Sequence, residues 1–214
     1  MRRVGKLVLA PKWTIAHKPW PLDYVPCILV LSLMLQFGCK PARLEEQALM
    51  AYMQEEENGL VKKATYGAFV ISAYYKPTDL IVKQQLQKNT LREIDSLRSA
   101  YKQYMYFILA IEKDGKDLET SFALNASSFA EKILYLTSAF PENIRLMAGS
   151  QQQTLEDYLY TRSYGSGPSQ FLLVFKRPAE NTFTLTVKGH ELGFGQVDFT
   201  FAKADINNIP PLKL

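Results

Sequence analysis

The segment Cys27–Gly38, reading Cys-Ile-Leu-Val-Leu-Ser-Leu-Met-Leu-Gln-Phe-Gly, is an apolar run of 12 residues in a chain of 214, and its length constrains what surrounds it. A helix needs about 20 apolar residues to cross a hydrocarbon core of ~30 Å, so this run is too short to be a membrane span. It divides the sequence instead. Arg2, Arg3, Lys6, Lys12 and Lys18 make the stretch before it basic, and Lys40, Arg43, Glu45 and Glu46 open an ordinary charged sequence after it. A basic stretch followed by a short apolar run has the form of an export signal. The charge balance agrees with this division. The chain carries 25 Lys and Arg against 21 Asp and Glu, but five of those bases and one acid, Asp23, precede Cys39, which leaves 20 of each sign in the remainder. The basic excess belongs to the leader, so no nucleic-acid partner is expected.

Gly38 directly before Cys39, at the end of such a run, resembles the lipobox of bacterial lipoproteins. Gln36 and Phe37 stand where that pattern prefers Leu and a small residue, with Leu35 one place earlier. The resemblance implies that residues 1–38 are a signal peptide, that the Cys39 thiol becomes lipidated, and that the protein is exported and anchored to the cell envelope. At ~0.8 kcal/mol per buried methylene one acyl chain holds only marginally, whereas several hold firmly. Lys40 occupies the position where the family's inner-membrane retention signal has Asp, which implies the outer membrane, facing the periplasm, in a diderm organism. The other readings of the run are an uncleaved anchor, a plain secretory signal, or a buried element of the folded domain. The abrupt change in texture at Lys40-Pro41 argues against the last.

Cys27 and Cys39 are the only cysteines, and both precede the folded part. The domain therefore has no internal disulfide, no Cys-based metal site and no thiol nucleophile. Residues 39–60 read as the lipidated N-terminus and a helical spacer, in which Leu44, Ala48, Leu49, Tyr52 and Met53 recur at helical spacing across Pro41–Gln54. The remainder, 61–214, reads as a single β-rich domain with a helical insertion around 78–140. Thr65–Tyr75 and Tyr104–Lys113 are early strands, the second closed by the turn dipeptide Asp114-Gly115. Helices are expected from Thr78, over Leu91–Lys102, and from Asn125 or Ser127 to Phe140. Ile144–Ala148, Leu155–Tyr164, Gln170–Lys176, Phe183–Val187 and Val197–Ala202 follow as short strands, and the strict alternation of Phe183-Thr-Leu-Thr-Val187 suits a half-buried antiparallel strand. Pro210 and Pro211 suggest an extended tail. The fold class is α+β: an antiparallel β-sheet or two-layer β-sandwich with inserted helices.

Groups able to move protons are scarce. His190 is the only histidine beyond the leader, and it sits in the turn Gly189-His190-Glu191-Leu192-Gly193, where a solvated role is expected. Ser163-Tyr164-Gly165-Ser166-Gly167 lacks the Gly-x-Ser-x-Gly spacing of a nucleophile elbow, and Gly193-Phe194-Gly195 has no third glycine and no following helix. Asp114, Asp117 and Glu119 do not meet the calcium-loop pattern and read as a polar hairpin. No catalytic residue, metal site or cofactor is assigned, and the balance of chemistry is against an enzyme. One face does invite binding. Tyr158, Tyr160, Arg162 and Tyr164 share one side of a regular strand, and Tyr and Arg are enriched at binding hot spots; the competing expectation is that such tyrosines cover the rim of a sheet. The functional expectation is a membrane-tethered extracytoplasmic interaction or assembly component of the envelope, with another envelope protein as partner. The alternatives are a glycan- or peptidoglycan-binding module using the Tyr158, Tyr160, Arg162 and Tyr164 face, and an envelope hydrolase.

Overall fold

The computed structural model describes residues 43–123, 126–163, 165 and 167–214. The leader, Cys39 and the lipobox lie outside the described residues, as does Tyr164.

Nine strands form two antiparallel sheets among these residues. The five-stranded sheet runs in the order β1-β2-β3-β7-β6, and the four-stranded sheet runs β5-β4-β8-β9. The strands are β1 Val61–Tyr66, β2 Phe69–Lys76, β3 Tyr104–Lys113, β4 Ile144–Ala148, β5 Gln151–Gln153, β6 Leu155–Thr161, β7 Ser169–Lys176, β8 Thr182–Lys188 and β9 Gln196–Ala202. The α+β class and the sandwich follow from how they pack. Odd-numbered residues of β2, β3 and β7, among them Ile71, Phe107, Leu109, Phe171 and Phe175, face Phe183, Leu185 and Phe201 of the second sheet in one buried cluster. Phe107 is the joint, with ring centroids 5.1 Å from Phe201 and 6.3 Å from Phe183 across the layers, and 6.2 Å from Phe175 beside it.

Two strands were not expected. The run read as a single strand over Thr65–Tyr75 turns back at Gly67, whose φ is +56°, and Val61–Tyr66 pairs with β2 as an edge strand. Of its six residues only Val61 is buried, so it carries no alternating signal. The second, β5, is Gln-Gln-Gln, held by its ladder to β4 and not by burial.

The helical segments fall in two groups on either side of β3. The first holds α2, Thr78–Gln85, and α3, Leu91–Tyr101. Thr90 caps α3 by accepting from the Glu93 amide at 3.3 Å, and Arg98 of α3 clamps Asp79 of α2 through two bonds of 2.8 Å. The second holds α4, Leu118–Phe122, and α5, Ala126–Leu134, which continues through Tyr135–Ala139 and Phe140–Asn143 into β4.

The first helix, α1, spans Glu46–Gln54 and is no spacer. Leu49 and Met53 are buried in the main core, because the apolar stripe visible in the sequence has a partner to dock on. Before it the chain is extended, and Leu44 bridges Leu212 in parallel, with Leu44 N–H donating to Pro211 O at 2.9 Å and Lys213 N–H donating to Leu44 O at 2.8 Å. The tail expected after Pro210 is thus a strap, with Leu212 only 1% exposed. The short helix α6, Lys203–Asn207, leads into it.

At the turn between β8 and β9 the Gly189 carbonyl accepts from the amides of Leu192, Gly193 and Phe194. A Cβ on Gly189 would overlap the Phe194 ring, which is itself packed on Phe69 at 5.2 Å. Gly189→Ala is expected to destabilise by about 1–3 kcal/mol, the usual cost of overpacking, read as a lower denaturant midpoint; an unchanged midpoint would mean that Phe194 moves aside freely.

Candidate functional site

The tyrosine face expected of β6 points inward. Cross-strand pairing sets Tyr158 opposite Leu173 and Tyr160 opposite Phe171, and those partners belong to the side facing the second sheet. Both rings stack on Phe171, at 6.0 Å for Tyr158 and 5.0 Å for Tyr160, and the Tyr158 hydroxyl donates to Leu136 O at 2.5 Å. Burial pushes both phenols above their ordinary value, helped at Tyr158 by Tyr135 and at Tyr160 by the Glu119 carboxylate. These rings are sheet rim and core cover, each with one flat face stacked on Phe171. The strand ends at Thr161, so Arg162 is an exposed loop residue and does not continue the face. His190 lies exposed in a short turn, as expected.

Asp117 and Glu119 correct the reading of a polar hairpin. Only Asp114-Gly115 turns at the surface; Asp117 is 1% exposed and Glu119 7%. Asp117 caps α4, accepting from the Thr120 amide at 2.5 Å, and its second oxygen accepts from the Gly165 amide. Ser169 donates to Glu119 at 2.5 Å and accepts from the Leu118 amide at 3.0 Å. The remaining oxygen of Glu119 and the Tyr160 hydroxyl are both buried without a standard hydrogen bond. The cluster ties the loop between β6 and β7 to α4 and so positions that loop.

Several concave regions indent the described surface, and two of them have α1 residues in their lining. A cleft of about 270 Å³ lies under the C-terminal strap, with Asp79 and Arg177 in its lining. Its charges are satisfied from within. Asp79 holds Arg98 and accepts from the Leu212 amide at 3.3 Å, and Arg177 donates to the Tyr75 hydroxyl and to the carbonyls of Lys102 and Tyr104. This is a clasp that fastens the ends of the fold.

The second region is a groove of about 360 Å³ on the outer face of the five-stranded sheet. That face is built from the residues that alternate with the core positions. Tyr74, Ile108 and Leu172 stand side by side across β2, β3 and β7, with Ser72, Ala110 and Gln170 as the next row. Near the Tyr104 end Ile81 of α2 closes the face by packing on Tyr106 and Val174, and burial there pushes the Tyr106 phenol up to about 12. The middle of the face is open. Its floor is Tyr74, Ile108, Ala110 and Gln170, and its walls come from Met50 and Met53 of α1, Leu80 of α2, and Pro168. Met50 is 43% exposed and Leu159, further along the same face, 56%.

One charged side chain borders the groove. Lys76, at the end of β2, is half-buried, and burial holds its amine below the usual lysine range. Its ammonium donates to the neutral amide of Gln84 at 3.0 Å, and among the described residues it has no carboxylate partner. No acid lines the groove. A concave, mostly apolar surface with a few polar groups, here Lys76, Gln54 and Gln170, is the usual composition of a binding site. The sequence concealed it, because Tyr74, Ile108 and Ala110 are ordinary strand residues until the ladder sets them side by side and α1 walls them. Among the described residues no cluster of three metal-ligating side chains occurs, and no helix is long and apolar enough to cross a membrane. No family model, characterised protein or solved structure matches the chain.

Proposed function

We propose that this protein is a membrane-tethered component of the bacterial cell envelope, held outside the cytoplasm by lipid on Cys39 and presenting the open face of its five-stranded sheet to another envelope molecule. The leader carries this reading: a basic stretch, a 12-residue apolar run and Gly38-Cys39 stand in the order an exported, acylated chain requires. The charge balance after Cys39 and the groove walled by Met50, Met53 and Leu80 support a role in binding. Leu44, paired with Leu212, is five residues beyond Cys39, so a chain anchored at that cysteine keeps Leu44 within ~20 Å of the bilayer surface. With Tyr158 and Tyr160 stacked on Phe171, binding at the groove is favoured over glycan stacking on β6.

Cys39→Ser is expected to move the protein from the membrane fraction to the soluble extracytoplasmic or unprocessed pool while leaving the circular dichroism and melting of the domain unchanged. Membrane retention equal to that of the native protein, or full-length unacylated native protein in the cytosol, would remove the reading.

A further inference from the structure

We propose that the groove on the outer face of the five-stranded sheet binds a single-chain anionic amphiphile, its apolar chain lying along Tyr74, Ile108 and Met50 and its anionic head meeting the Lys76 ammonium. The proposal deepens the envelope reading by naming the ligand class of the same face, and it rests on that reading for the ligand's source.

Size and shape come first. About 360 Å³ holds on the order of ten groups the size of a water or a methylene, at ~30 Å³ each. That suits one medium-length chain. The walls suit a chain without fixed shape, because Met50 and Met53 are flexible, polarisable side chains that adapt to irregular apolar surfaces. Ile108 and Ala110 give the floor an apolar centre, and the polar groups of Tyr74, Gln54 and Gln170 join it in the lining.

Charge selects the head. Lys76 is the sole cation among the groove residues, no acid joins it there, and among the described residues its ammonium donates to the Gln84 amide oxygen at 3.0 Å. An ammonium whose partner among the described residues is a neutral amide gains a charge-assisted hydrogen bond from an arriving anion. A cationic ligand would be repelled, and a neutral one would leave the charge as it is. An anionic head on an apolar chain satisfies both parts of the groove together.

The unit Pro41–Leu214 is compact by itself, with both sheets and the core contained in it, and serves for the test. Titration calorimetry with dodecanoate below its micellar concentration is expected to show one saturable site. Acetate should give no heat, and dodecanol should bind more weakly. Lys76→Met is expected to weaken dodecanoate roughly tenfold or more, the size of a charge-assisted hydrogen bond, and to leave dodecanol unchanged. Met50→Asp, at an exposed wall position, should weaken both ligands with the melting temperature preserved, which keeps the test valid if Lys76→Met folds poorly. No saturable dodecanoate binding, equal binding by Lys76→Met, or binding of acetate as strong as dodecanoate would each overturn the proposal. Because these measurements do not involve Cys39, loss of dodecanoate binding with normal release of Cys39→Ser from membranes would sink the amphiphile site alone. Dodecanoate binding without membrane attachment of the native protein would sink the envelope reading alone.

Discussion

Phe107→Ala is expected to remove about 3–5 kcal/mol of stability, the range for deleting a buried phenylalanine and leaving its cavity. Against a total of about 5–15 kcal/mol for a domain, that is about a fifth or more of what holds the fold. The position explains the size. Phe107 is fully buried and meets Tyr75 at 5.7 Å and Phe175 at 6.2 Å in its own sheet, then Phe183 and Phe201 in the other. Each such ring pair adds about 0.5–1.5 kcal/mol beyond area burial, and no neighbour can collapse into the space without leaving its own partner. Urea titration of the Pro41–Leu214 unit should show the midpoint falling at constant slope, with Phe107→Leu costing much less. A loss below about 1.5 kcal/mol would mean that the sheets are not joined through this ring.

Asp117→Ala is expected to cost about 1–3 kcal/mol, since it removes a helix cap and leaves two partly buried amides without their acceptor. The amides of Thr120 and Gly165 both donate to this carboxylate, so the loss should concentrate there. Hydrogen exchange should speed up at those two amides while β8 and β9 keep their protection; uniform acceleration would show that the loop is not held by Asp117. The same group predicts a pH dependence. Burial by itself raises the Asp117 carboxyl, and the hydrogen bonds from Thr120, Gly165 and Ser163 outweigh it, holding the group below the usual carboxylate range. A carboxyl depressed in the folded state contributes stability that is fully present above its unfolded value of about 3.9 and is lost as pH falls through the lower folded value. The stability gap between the native protein and Asp117→Asn should therefore narrow as pH drops from about 5 to about 2; a gap constant over that window would contradict the assignment.

Much of the sheet was legible because burial on one face leaves a two-residue period. Phe183, Leu185 and Val187 alternate with threonines, and the structure buries those three and turns the threonines outward. Tyr104–Lys113 was equally plain, as a long run flanked by turn residues, and it became the central strand. Val61–Tyr66 and Gln151–Gln153 were not legible, since an edge strand can be held by its ladder with little burial and then shows no apolar period. Asp117 and Glu119 were misjudged for a related reason. A carboxylate in sequence carries no mark of burial, and only the tertiary fold brings the Gly165 amide to Asp117 and the Ser169 hydroxyl to Glu119.

What the amino-acid sequence determined by itself is local: the apolar run and its cysteine, the period of the strands, the helix stripe of α1, and the parity that sets Tyr158 and Tyr160 on one side. What tertiary structure alone decided is which side faces solvent. Parity is a property of a single strand, but inside and outside are assigned when strands pair and layers close. Pairing with Leu173 and Phe171 turned the tyrosines into the core, and the same ladder left Tyr74, Ile108 and Ala110 side by side under α1 as the groove beside Lys76.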